Sequence, residues 1–496
     1  MLSLGLDIGS SSVKAALLDI ASGTIVARAS HPEEELQIHA PNPGWAEQDP
    51  EVWWECVKVL IHRFSRMPEV DIKRIVCIGI SYQMHGLVMV DKSHQSLRPS
   101  IIWCDSRAVE TGNIALEALG EDYCLSHVLN RPGNFTASKF GWVRKHEPAV
   151  LDRLHKIMLP GDFIAMRLTG DVTTTVSGLS EGILWDFIHN SVSSKVMDYF
   201  GLKPDYLPDI VPTFSVQGRL TRSVADELGL NPDTVVSYRA GDQPNNALSL
   251  NVLEPGEIAA TGGTSGVVYG VIDKANPDRQ SRVNIFAHVN HAESSQRLGV
   301  LLCINGTGIL NAWLRRNVTS GSDYDTMNNE AGAIPVGAEG LSVLPFGNGA
   351  ERVLGNKNIG AHFIGLDLNR HTRAHLLRAA QEGIAFSFRY GIDIMKELGL
   401  NVSVIRAGNE NLFLSPTFRS TLSAITDAEI ELFDTSGAHG AARGAAVGSG
   451  HILSLKDLSG MLKLSKRESP DLSDKEVTAQ AYERWLERLT NAMAHL

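Results

Sequence analysis

Two stretches roughly 250 residues apart follow one plan, and that plan limits the fold more than any other feature of the chain. In the first, Leu4, Leu6 and Ile8 alternate, Gly9-Ser10-Ser11-Ser12 turns, and Val13 to Leu18 runs on. In the second, Ile258 to Thr261 leads into Gly262-Gly263-Thr264-Ser265-Gly266, and Val267 to Val271 follows. A period-two apolar pattern on both sides of a short Gly/Ser/Thr turn reads as a β-hairpin. A repeat this long is a repeated domain and not a solenoid unit. The spacing therefore predicts two similar halves, residues 1–245 and residues 246–496.

The length agrees, because hydrophobic cores stop growing beyond about 250–300 residues and this chain has 496. Between and after the hairpins, other elements make the pattern mixed α/β. Asp49-Pro50-Glu51 is a helix start with an acidic cap and Pro at the first helical position. Ile75 to Ser81 is an apolar, β-branched run of the kind buried on both faces of a sheet. Leu376 to Leu398 has helical spacing and stops at Gly399. Further strands are expected at Val402 to Ile405 and Glu429 to Phe433. Helices are expected from Ser415-Pro416, over the small residues Gly444 to Leu453, and from Lys475 to Leu496.

Charge and cysteine usage remove several function classes. The net charge of −11 argues against a nucleic-acid binder or a protein held on anionic membranes. Five Cys with no C-x-x-C spacing give neither a disulfide framework nor a zinc motif, and a reducing cytoplasm is the expected location. No apolar run is long enough to span a membrane. The P-loop and dinucleotide fingerprints are also absent.

The turns themselves carry chemistry. Successive backbone N–H groups in such turns form a concave anion site, and Ser or Thr hydroxyls add donors. Asp7 precedes the first turn, and a carboxylate beside bound phosphates calls for a cation, here Mg²⁺ held through water. Asp242 closes Tyr238-Arg239-Ala240-Gly241-Asp242, where α/β sheets place ligands. It is either a general base for a hydroxyl or a cap of the next helix. Gln83-Met84-His85-Gly86 follows a buried strand, and its amide, imidazole and thioether suit a polyol. In Trp103-Cys104-Asp105-Ser106-Arg107, Asp105 and Arg107 beside Trp103 offer a sugar clamp, or else a simple surface pair.

In order along the chain, these motifs resemble the FGGY family of carbohydrate kinases. Gly5 to Ser11 is similar to the family's first phosphate motif, and Trp45-Ala46-Glu47-Gln48-Asp49-Pro50 to its early helix entry. Gln83-Met84-His85-Gly86 resembles the xylulokinase branch, and Lys139 to Val143 a family signature. Gly241-Asp242 matches the catalytic Asp, Gly263 to Gly266 the second phosphate motif, and Phe363 to Leu366 with Gln381 to Gly383 a later signature. Three stretches depart from the pattern. They are Gln243-Pro244-Asn245, Asn348 to Val353, and the adenosine motif, which here reads Ala407-Gly408-Asn409-Glu410-Asn411.

The resemblance implies two ribonuclease H-like, actin-like ATPase domains with a cleft between them. It implies ATP-dependent phosphorylation of the 5-hydroxyl of D-xylulose, or of another ketose or polyol such as L-ribulose or D-ribulose. Asp242 would take the proton and Asp7 would organise Mg²⁺. Gly9, Ser10, Ser11, Gly263, Thr264 and Ser265 would cradle phosphate, with Gly408, Asn409 and Asn411 towards adenosine. Gln83, Met84, His85, Trp103, Asp105, Asp242 and Gln243 would line the sugar. It also implies a homodimer. A chaperone-like or non-catalytic protein on the same ATPase fold is the alternative from another class.

Overall fold

The computed structural model describes residues 1–471 and 473–494. The chain divides into two compact units, each assembled from three stretches. The first comprises Met1–Asn251, Phe286–Leu298 and Thr435–Leu462; the second comprises Val252–Ile285, Gly299–Asp434 and Lys463–Leu496.

The first unit is built on a six-stranded sheet. In spatial order its strands are Phe214–Arg219, Val235–Gly241, Ile75–Tyr82, Leu2–Ile8, Val13–Asp19 and Thr24–His31. The expected hairpin is present, Leu2 pairing with Asp19 and Ile8 with Val13. The three central strands are parallel, with Asp7 opposite Ser81, and Ser81 opposite Ala240. Three strands therefore end side by side, at Asp7-Ile8, Ser81-Tyr82 and Gly241-Asp242. A parallel sheet has to be covered on both faces. One cover is the helix Pro50–Ser65, capped by Asp49 as expected; its Trp53, Trp54, Val57, Ile61 and Phe64 enter the core. The other is the helix Gly437–Gly448, made almost wholly of Gly and Ala.

That second helix comes closer to the sheet than side chains normally allow. A Cβ on Gly5 or Gly79 would overlap the carbonyls of Ala438 and Ala441. Ser3 and Ser237 donate from the sheet to the carbonyl oxygens of Ala442 and Ala445, at 2.7 and 2.8 Å. Arg443 is buried and donates to the carbonyls of Ser249 (3.0 Å) and Leu458 (2.7 Å) and to the Asn251 side chain. Burial brings its pKa down to about 10. The helix begins at Ser436, whose hydroxyl caps it, and not at Gly444 as the sequence reading has it.

The second unit repeats the motif. Its seven-stranded sheet contains the hairpin Glu257–Gly262 with Gly266–Ile272, and Glu257–Gly262 runs parallel to Val404–Gly408, itself parallel to Glu429–Phe433. The long helix Arg373–Glu397 and the helix Pro416–Thr426, capped by Ser415, pack together beside it. The last helix runs Lys475–Ala494, with residues 495–496 lying outside the described ones. It is polar outside but buries Trp485 against Phe346, Phe386 and Tyr482. Among the described residues no helix is long and apolar enough to cross a membrane.

Candidate active site

The register of the first sheet brings together residues far apart in sequence. The Ser81 hydroxyl donates to Asp7 Oδ1 at 2.9 Å. A Cβ on Gly437 would stand 2.6 Å from Asp7 Oδ2, so the first turn of the small-residue helix lies directly on that carboxylate. Burial lifts the Asp7 pKa, against the pull of Ser81 and Lys14. Asp242 stands at the end of the strand on the other side of Ile75–Tyr82. It is the first helical residue and Gly241 is the cap, so the capping alternative for Asp242 does not apply. Burial first, and the Asp7 charge second, raise Asp242 to about 7.

Two buried carboxylates whose charges repel each other are groups that could hold a divalent ion. Nearby acceptors are also left over. Gln83 Oε1 and Asn245 Oδ1 are buried without a partner. Their amide nitrogens are engaged, Gln83 with Gln48 Oε1 at 3.3 Å and Asn245 with the Gly437 carbonyl at 2.8 Å.

The 83–86 stretch is held tightly. Gln83 N donates to the Ile8 carbonyl at 2.9 Å. His85 has a positive φ of 62°. Its backbone N–H reaches Glu181 Oε2 at 3.3 Å, and its ring meets the Glu181 carbonyl at 3.0 Å. The ring is also walled edge-on by Phe135 at 4.8 Å and flanked by Phe286 at 5.3 Å. Met84 is buried against Gly241, where a Cβ would stand 2.6 Å from its Cγ. Lys139 donates to the carbonyls of His85 (2.7 Å) and Ile102 (3.0 Å), and burial lowers its pKa to about 7.

Glu181 has no signal in the sequence. It is 1 % exposed, and burial raises its pKa well above the usual carboxylate range, with the Asp242 charge adding to the effect. Gln48 is the second missed residue. It donates to the Ser10 carbonyl at 2.7 Å and accepts from Trp53 at 3.1 Å, so it braces the Gly9–Ser12 turn from below. Its place in the Trp45–Pro50 motif was the available clue.

Trp103 is 53 % exposed, and its indole N–H reaches Ser10 Oγ at 3.3 Å. Asp105 is placed differently from a sugar clamp or a surface pair. Its carboxylate accepts from Ala46 N at 2.6 Å and from Arg107 Nη2 at 2.6 Å, and Arg107 bridges on to Glu47 at 2.7 Å while stacking 3.7 Å from Trp45. Its acceptor capacity goes to holding that loop.

In the second unit, Gly263, Thr264 and Asn411 line one pocket of about 530 Å³, together with Gly308, Asn311, Arg316 and Ser415. The helix Gly308–Asn317 starts against the turn, where a Cβ on Gly308 would overlap the Gly263 carbonyl. A helix N-terminus, a Gly-rich turn and an Arg lining one cavity are groups that can hold an anion. Thr307 Oγ1, just before that helix, is buried without a partner. Ser265 lies beside the Cys303 thiol, outside the pocket lining. Gly408 and Asn409 end a strand, with Asn409 N donating to the Phe433 carbonyl at 2.9 Å.

The model of the FGGY family of carbohydrate kinases, N-terminal domain, matches residues 2–249, and that of its C-terminal domain matches residues 258–449. The chain belongs to the FGGY family of carbohydrate kinases. The FGGY assignment agrees with individual relatives. The chain is 29% identical over 494 residues to the xylulose kinase of Bacillus subtilis, covering 99% of this chain and 96% of that one. The crystal structure of xylulose kinase from Rhodospirillum rubrum superposes with a TM-score of 0.89 at 25% identity, over 99% of both chains. Gluconate kinase from Lactobacillus acidophilus shares the same FGGY fold, with a TM-score of 0.87 at 21% identity, over 100% of this chain and 99% of that one.

Proposed function

We propose that the protein transfers the γ-phosphoryl group of ATP to the 5-hydroxyl of D-xylulose, with Asp242 as the general base. The observation that carries the reading is the pair Asp7 and Asp242, on strands flanking one central strand, with Asp242 raised to about 7. A base works best when its pKa lies near the operating pH. The xylulose kinase relatives support the sugar.

In this reading the first 245 residues take the sugar and the remainder takes the nucleotide. Gln83, Met84, His85, Trp103 and Gln243 face the sugar, while Asp105 holds their neighbouring loop. The turns at Gly9-Ser10-Ser11 and Gly263-Thr264-Ser265 hold the phosphates by their N–H groups, and Gly408, Asn409 and Asn411 lie towards the adenosine. Mg²⁺, held at Asp7, would supply the positive charge that the two carboxylates and the phosphates need. Asp242 accepts the hydroxyl proton. Phosphoryl transfer demands little else of a protein than position and charge.

A different sugar is the second reading. Gln243 and Pro244 replace the small residues usual after the catalytic Asp, and a gluconate kinase shares the fold. The deciding experiment is ADP release with Mg²⁺-ATP against D-xylulose, D-ribulose, L-ribulose, L-xylulose, D-fructose, glycerol, gluconate and no sugar. A dominant rate with D-xylulose supports the proposal, and a dominant rate with another acceptor replaces the substrate while keeping the chemistry. Turnover without any sugar would favour a chaperone-like ATPase.

A further inference from the structure

Away from the residues used so far, three donor atoms converge at one edge of the first unit. His127 ends the helix Glu121–His127, while Asp186 ends the first strand of the two-stranded ribbon Trp185–Asp186 with Ser191–Val192 and His189 lies in the turn between them. His127 Nδ1 lies 2.8 Å and His189 Nδ1 lies 2.9 Å from the same oxygen, Asp186 Oδ2. Among the described residues this is the one group of three His, Cys, Asp or Glu whose ligand atoms all lie within 4.8 Å of one another. The kinase reading gives these residues no task.

We propose that His127, Asp186 and His189 form a binding site for a divalent transition-metal ion of the zinc class. Several features suit one. The carboxylate is fixed before any ion arrives, because Oδ1 accepts from the backbone N–H groups of Ile188 (2.9 Å) and His189 (3.0 Å), while Oδ2 faces the two imidazoles and a longer contact from the Tyr123 hydroxyl at 3.5 Å. The His127 ring is held in place by stacking on Tyr123, with centroids 4.3 Å apart. The Lys195 ammonium lies over the Tyr123 ring and donates to the Leu119 carbonyl, so it does not pair with Asp186.

With no metal bound, each Nδ1 carries a proton and donates it to Oδ2. Moving that proton to Nε2 turns both nitrogens into ligands aimed at the space beside Oδ2. Tetrahedral zinc with bonds near 2.0–2.1 Å separates its ligands by roughly 3.3 Å, so each imidazole nitrogen has to draw back from Oδ2 by about half an ångström. Two imidazoles and one carboxylate select zinc and its late first-row neighbours over Mg²⁺, which prefers all-oxygen sites. His189 is exposed, its side chain 65% accessible, which leaves the fourth position to water. Bound metal would staple the ribbon to the helix. The ribbon begins shortly after Glu181, the residue that holds His85.

The test is Zn²⁺ binding to the full-length protein in competition with a chromophoric chelator, with Mg²⁺ in excess. One Zn²⁺ per chain is expected, with binding weakened at least about tenfold in His189→Ala and in His127→Gln. His62→Ala, on a distant helix, should bind like the wild type. Zn²⁺ should also raise the Tm of the wild type and of His62→Ala, but not that of the two ligand variants. Because His189 is exposed, its variant keeps the fold, which thermal unfolding without metal checks directly. Wild-type protein that binds no zinc, or ligand variants that bind as tightly as the wild type, would overturn the site.

Discussion

Asp242 is at once the proposed base and a poorly placed charge. Its ordinary value of 3.8 is raised to about 7, so the folded state binds more protons than the unfolded one between those limits. Stability from this group therefore falls as pH rises through that window. Activity moves the other way, because only the carboxylate can accept a proton. kcat/KM should rise about tenfold per pH unit below a midpoint near 7 and level off above it; a flat profile from acid to neutral pH would remove Asp242 as the base. Asp242→Asn should lower kcat by ~10²–10⁴-fold while sugar binding, followed by calorimetry, persists. The same variant should gain ~2–4 °C in Tm at pH 8, an advantage that shrinks as the pH approaches 4. His85→Ala loses the ring between Phe135 and Phe286. It should raise the KM for sugar far more than that for ATP, and equal effects on both would take the 83–86 stretch out of the sugar wall.

At the scale of elements, the small-residue helix Gly437–Gly448 does the most positioning. It touches three parallel strands and sets its first turn on Asp7. Gly79→Ala would drive a methyl into the Ala441 carbonyl. Backbone cannot yield as a side-chain tip can, so a loss of about 1–3 kcal/mol or more is expected. Urea unfolding would measure it, and an unchanged midpoint would mean that the helix is not clamped there. Gly437→Ala, against Asp7, should reduce kcat more than stability.

This helix also shows what the sequence could and could not tell. Its small residues announced a helix, but its start did not stand out, because Ser436 reads like any loop serine until its hydroxyl is seen to cap. The hairpins, the Asp49 cap and the Ser415-Pro416 start were legible because alternation and capping are local signals. Asp7 and Asp242 stood out because each stands at a strand end within two residues of a glycine. Glu181, Ser81 and the Ala46 N–H that donates to Asp105 were not legible. Their roles depend on which strands become neighbours, a fact that lies 74 residues away in sequence for Ser81 and Asp7, and 96 for Glu181 and His85.

For the whole molecule, the repeat announced two similar sheets, and two are present. The chain also returns to the first unit with Phe286–Leu298 and Thr435–Leu462. A fragment ending at Asn251 would lack both the helix on one face of its sheet and the Phe286 wall beside His85. Such a fragment should be protease-sensitive and lack near-ultraviolet circular dichroism, whereas co-expression with 435–462 should recover some protection. A fragment that folds cooperatively alone would contradict the contacts described.

The same return has a consequence during synthesis. Roughly 180 residues separate Asn251 from Thr435, and a ribosome moving at about 5–20 residues per second needs about 10–40 s to cross them. Through that interval the strands Leu2–Ile8, Ile75–Tyr82 and Val235–Gly241 have emerged while the helix that covers them has not yet been made. The nascent chain is thus obliged to carry a bare sheet face for more than a third of its own translation, and slow codons between 252 and 434 would lengthen its exposure to aggregation.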